Sequence, residues 1–133
     1  AIACCYITGC GLGENAKAAI ITRGLSEIID LGIKMGAKRN TFYGLSGIGD
    51  LTLSCSSLKS RNAKFGYNLA KSKNHSKRHI LLEGIESCES ICDLGEKLKV
   101  DLPISKSVKS IIKGRNANKV ICELLSRPLQ FEK

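Results

Sequence analysis

The sequence predicts an all-α fold, a single helical bundle, on three observations. Apolar residues recur every three or four positions over most of the chain. Aromatic residues make up only 5% of it. No stretch alternates apolar and polar side chains between hairpin turn signals, so no strand is predicted.

Taken in order, Ala18, Ile21, Leu25, Ile28, Ile29 and Met35 place a long central helix from about Glu14 to Met35, with Gly36 as its stop. Gly9-Cys10-Gly11-Leu12-Gly13-Glu14 reads as a flexible lead-in to it, with Asn15 near the first turn. A second glycine-rich stretch, Gly44 to Gly49, joins helices and allows tight backbone approaches. Ser60 is a good N-cap for a helix through Ala63, Phe65, Tyr67, Leu69 and Ala70, whose two aromatics read as core. Ile85, Cys88, Ile91, Cys92 and Leu98 predict a helix over about 84–98, with Glu86 and Glu89 in the first turn, where the helix dipole favours carboxylates. Ile104, Val108, Ile111 and Ile112 follow Pro103 and end at Gly114. Asn116 then caps a last helix carrying Val120, Ile121, Leu124 and Leu125, stopped before Pro128.

The length of 133 residues suits one domain with a real core. A hydrophobic fraction of 43% and a charged fraction of 25% describe a soluble globular protein. No apolar run approaches the ~18 residues of a membrane helix, so no membrane partner is expected. The net charge is +9, and residues 51–82 hold seven basic side chains and no acid. That segment is where an anion would be drawn. Elsewhere the lysine surplus is also what AT-rich coding would produce. Lys97, Lys99, Lys106, Lys109, Lys113, Arg115 and Lys119, preceded by Glu86, Glu89, Asp93 and Glu96, read as the wet side of the bundle.

Seven cysteines, without paired CxxC motifs, read as buried free thiols of a reducing compartment. Cys88 and Cys92 are one helical turn apart but lack a matching Cys or His pair, and His75 and His79 sit in a polar, lysine-rich run, so no metal site is assigned. No signal peptide is legible, and the chain, opening on Ala rather than Met, reads as a fragment or processed product.

Three stretches carry candidate chemistry. Gly9 to Glu14 fails as a dinucleotide fingerprint: its third glycine is one place early and no strand precedes it. Asp50, set in Gly47-Ile48-Gly49-Asp50-Leu51-Thr52-Leu53-Ser54, is expected to be partly buried and to need a cation or several hydrogen bonds, or else to cap a short helix. Ser60-Arg61-Asn62 joins a helix start, which offers backbone amides to an anion, to a guanidinium that grips two phosphate oxygens at once. Together these make a small phosphate site, or alternatively a capped surface helix with a solvated arginine.

Gly11 to Glu27, Gly44 to Leu51, Ser60-Arg61-Asn62, Glu83-Gly84, Leu102-Pro103-Ile104 and Leu124 to Leu129 occur in this order. In that combination the chain resembles the C-terminal, substrate-binding half of the bacterial NAD(P)-dependent sn-glycerol-3-phosphate dehydrogenases, over nearly its whole length. The resemblance implies an all-α domain like the C-terminal region of 6-phosphogluconate dehydrogenase. It implies a cytoplasmic oxidoreductase that interconverts dihydroxyacetone phosphate and glycerol 3-phosphate, with NAD or NADP, for glycerophospholipid synthesis, and it allows a homodimer. It further implies that Asp50 supports a proton-transfer lysine, that Asp50, Ser60, Arg61 and Asn62 hold the substrate, and that Arg61, Leu81 and Glu83 meet the cofactor. The family's lysine would fall immediately before Ala1, and its Rossmann domain lies outside this sequence, so the isolated chain is expected to be inactive. A different class of function, a basic helical nucleic-acid-binding module, would use the same charge, but residues 51–82 offer only Phe65 and Tyr67 for base stacking.

Overall fold

The computed structural model describes residues 1–71 and 82–128, with side chains from 86 onward in the second segment. Among these residues there is no strand, and the fold is the expected helical bundle. Its helices are α1 (Ile2–Gly9), α2 (Gly13–Lys34), α3 (Asp50–Ser56), α4 (Arg61–Lys71), α5 (Leu82–Leu98), α6 (Pro103–Ile112) and α7 (Ala117–Ser126). A 3-10 turn (Arg39–Tyr43) and a π turn (Leu45–Gly49) lead into α3. His75 and His79 lie outside the described residues.

The first helix is the element the sequence reading missed. Ala3 to Ile7 are all buried, because α1 is apolar on every side and packs at the centre of the bundle. A helix without a polar face gives no stripe to recognise. It is clasped by α4, and the contact is close enough to require glycine. A Cβ on Gly66 would stand 2.2 Å from the Ile2 carbonyl oxygen, and one on Gly9 would stand 2.6 Å from Ala70 Cβ. Around this pair, Ile7, Ile20, Val108, Ile111, Val120, Ile121 and Leu124 form the core.

The predicted caps are present. The Ser60 hydroxyl accepts the Ala63 N–H at 3.0 Å, and the Asn116 side-chain oxygen accepts the Lys119 N–H at 3.0 Å. Gly36 and Gly114 take φ of +92° and +97° just beyond α2 and α6. The Arg23 guanidinium donates to the carbonyls of Leu124 and Arg127, so that α2 holds the C-terminal end of α7. On the wet side, Lys106 pairs with Asp101 (2.9 Å), Lys109 with Asp93 (3.5 Å) and Lys113 with Glu89 (3.3 Å).

Three expectations are corrected. The lead-in before α2 is an ordered turn: Gly11 donates to the Thr8 carbonyl at 3.1 Å and Leu12 to that of Ile7 at 3.3 Å. The long-helix stripe is only partly buried, with Ile20 and Ile29 inside and Ile28 and Met35 in solvent. Phe65 and Tyr67 are half-buried rather than core, and the Lys71 ammonium lies 5.6 Å from the Tyr67 ring centre.

Candidate functional site

Ser60, Arg61 and Asn62 open onto a cavity of about 440 Å³. Its walls come from distant parts of the chain: Ala1 and residues 2–4 of α1, Ile20, Ile21 and Gly24 of α2, Leu51 and Cys55 of α3, and residues of α5 and α6. The local folding of α4 explains why the triplet faces it. Ser60 ends the extended approach by capping the helix, so Arg61 and Asn62 occupy the first turn. There the Asn62 N–H has no carbonyl four residues back within the helix to bond. The positive end of the helix dipole and the exposed Arg61 side chain meet at the same place. An anion the size of a phosphate ester would find amide, guanidinium and carboxamide donors on one side and apolar side chains on the other.

Asp50 stands apart from this group. It is the first residue of α3 and exposed, and its side chain makes no hydrogen bond or ion pair among the described residues. Neither its expected burial nor its expected capping role is found, because the π turn before it delivers the chain into α3 with helical backbone already set at Gly49. Its neighbour Leu51 does line the cavity. Leu81 lies outside the described residues, and Glu83 falls in α5 at a position whose side chain is not described.

The sequence reading missed Glu27. This carboxylate is 8% exposed and accepts hydrogen bonds from the Ile104 N–H, the Ser105 N–H (3.3 Å) and the Ser105 hydroxyl (3.2 Å). Pro103 begins α6 without an N–H, so Glu27 satisfies the next two amides and fixes Ile104 and Ser105 in the cavity wall. Burial pushes the Glu27 carboxyl above its ordinary range, against the lowering effect of these hydrogen bonds. The one signal in the sequence was a carboxylate between Leu25 and Ile28 on an apolar helix.

No described helix is long and apolar enough to cross a membrane, and no described cluster of His, Cys, Asp or Glu could hold a metal ion.

The described residues form an all-helical domain in which a helix start and a guanidinium overlook a small cavity. Residues 1–123 match the family model described as NAD-dependent glycerol-3-phosphate dehydrogenase C-terminus, and the chain belongs to that family. It is 43% identical over 136 aligned positions to the glycerol-3-phosphate dehydrogenase (NAD(P)+) of Zymomonas mobilis, covering 99% of this chain and 40% of the relative. The enzyme of the same description from Streptomyces coelicolor is 43% identical over 94% of this chain and 39% of its own. The crystal structure of glycerol-3-phosphate dehydrogenase from Coxiella burnetii superposes with a TM-score of 0.86 at 34% identity, covering 95% of this chain and 40% of that one. The chain therefore spans about two fifths of the length of the relatives it matches. None of these relatives supports the nucleic-acid-binding alternative.

Proposed function

We propose that this chain is the substrate-binding part of an NAD(P)-dependent sn-glycerol-3-phosphate dehydrogenase, interconverting dihydroxyacetone phosphate and glycerol 3-phosphate in the cytoplasm for glycerophospholipid synthesis. The observation that carries the reading is Ser60-Arg61-Asn62 at the start of α4, over the 440 Å³ cavity. In this role Arg61 grips the substrate phosphate and lies close to the cofactor, while Ser60 and Asn62 orient the glycerol portion. Asp50, exposed at the start of α3, supports the lysine that the family places immediately before Ala1. That Ala1 lines the same cavity supports this reading.

The described residues provide no dinucleotide cradle, since Gly11 and Gly13 turn between two helices rather than between a strand and a helix. The nicotinamide cofactor is accordingly held mainly by a separate N-terminal domain, with Arg61, Leu81 and Glu83 touching it from this side. When bound, it supplies the hydride. The proton side of the reaction belongs to residues around the cavity: a reduced carbonyl leaves an alkoxide, which needs a nearby cation and a proton donor. The isolated chain is inactive in this reading.

The test joins the chain to a dinucleotide-binding N-terminal half and follows dihydroxyacetone phosphate reduction. The fusion is expected to turn over, and Arg61→Ala to lower kcat/KM by roughly 10- to 150-fold, the equivalent of about 1.5–3 kcal/mol for a charge-assisted hydrogen bond. No turnover in the fusion, or unchanged kinetics in the variant, overturns the reading.

A further inference from the structure

Five of the seven cysteines are buried as free thiols, and three of these converge. Cys4 Sγ and Cys5 Sγ lie 4.0 and 3.9 Å from the carbonyl oxygen of Cys55, so the first turn of α1 meets the end of α3 through sulfur. Cys4 and Cys55 are therefore neighbours across the contact of α1 with α3. Both residues line the cavity, which Cys5 does not, so a small solute entering it meets this pair.

We propose that Cys4 and Cys55 form an oxidisable dithiol in the cavity wall, which hydrogen peroxide converts to a disulfide that ties α1 to α3. Hydrogen bonding from Cys4 holds the Cys55 thiol below its ordinary range against the opposing effect of burial. Cys55 is thus the nucleophile and Cys4 the resolving partner. The Cys55 thiolate, its proton already given up, attacks one peroxide oxygen. The O–O bond breaks, leaving Cys55 sulfenic acid and hydroxide, which takes up that proton as water. The Cys4 sulfur then attacks the Cys55 sulfur: the S–S bond forms, the S–O bond breaks, and the departing hydroxide leaves as water with the Cys4 proton. Two thiols lose two electrons and two protons, and one peroxide becomes two waters. None of this depends on which ligand the cavity holds.

The test treats the fusion described above with stoichiometric hydrogen peroxide, blocks remaining thiols, digests with trypsin and maps bridges by mass spectrometry. The expected product joins the peptide carrying Cys4 to residues 40–59, which carry Cys55, and is two hydrogens lighter than the separate peptides. The bridge should disappear in Cys4→Ser and persist in the double variant C5S/C10S, where Cys4 is the remaining thiol of residues 1–17. The double variant decides the matter even if Cys4→Ser fails to fold. No such bridge in the parent protein, its loss in the double variant, or its persistence in folded Cys4→Ser overturns the proposal. Because the readout is mass, turnover of the fusion does not enter the result.

Discussion

Glu27 and Ser60 perform the same task, satisfying helix-start amides, by routes of very different range. Ser60 reaches three residues along the chain and Glu27 reaches seventy-seven. The first was legible because capping is local chemistry, written as a hydroxyl before an apolar run. The second was not, since nothing near Leu25 or Ile28 names α6 as its partner. Asp50 failed in the other direction: a carboxylate among small residues suggested burial, but the tertiary path of the π turn leaves it in solvent. Replacing Glu27 by Ala should leave the Ile104 and Ser105 amides buried without an acceptor, at about 1–3 kcal/mol. The folded protein holds the Glu27 proton more tightly than the unfolded chain, because burial raises its pKa. Its titration therefore contributes stability that is fully present below the ordinary carboxylate value of 4.5 and declines as pH rises through the raised value. Urea denaturation at several pH values should show the gap between parent and variant narrowing as pH rises through that window. A gap that widens would contradict the assignment.

Among the elements, the amphipathic helices α2, α5, α6 and α7 were legible to within about two residues because each shows one apolar stripe to its neighbours. The buried helix α1 was not, and its packing against α4 depends on glycines whose purpose no pattern within either segment reveals. This gives a paired prediction. Gly66→Ala would drive a methyl to 2.2 Å from the Ile2 carbonyl, forcing the two helices apart at a cost of about 1–3 kcal/mol or more. Gly24→Ala, also within a helix, meets only Ile104 Cδ1 at 3.7 Å and should gain about 0.4–1 kcal/mol from the smaller freedom of the unfolded chain. Thermal melting of the two variants should shift in opposite directions, and matching shifts would mean that the α1–α4 approach is looser than described.

For the molecule as a whole, apolar periodicity and composition were enough to predict a helical bundle, and the charge distribution pointed to the segment that contains Ser60-Arg61-Asn62. The other cavity walls were out of sight, because α1, α2, α3, α5 and α6 become neighbours of that segment only in three dimensions. The same arrangement couples occupancy to unfolding. A solute lodged among six helices that are remote along the chain is bound by the folded protein and by none of its separated pieces. Its binding free energy is then added to the stability of the entire domain, by about 2.7 kcal/mol at a concentration one hundred times Kd. Glycerol 3-phosphate should accordingly raise the melting temperature in proportion to the logarithm of its concentration, and glycerol without the phosphate should not. The cavity thus works as a keystone position, and a melting curve becomes a way of finding what fits it without any catalytic assay.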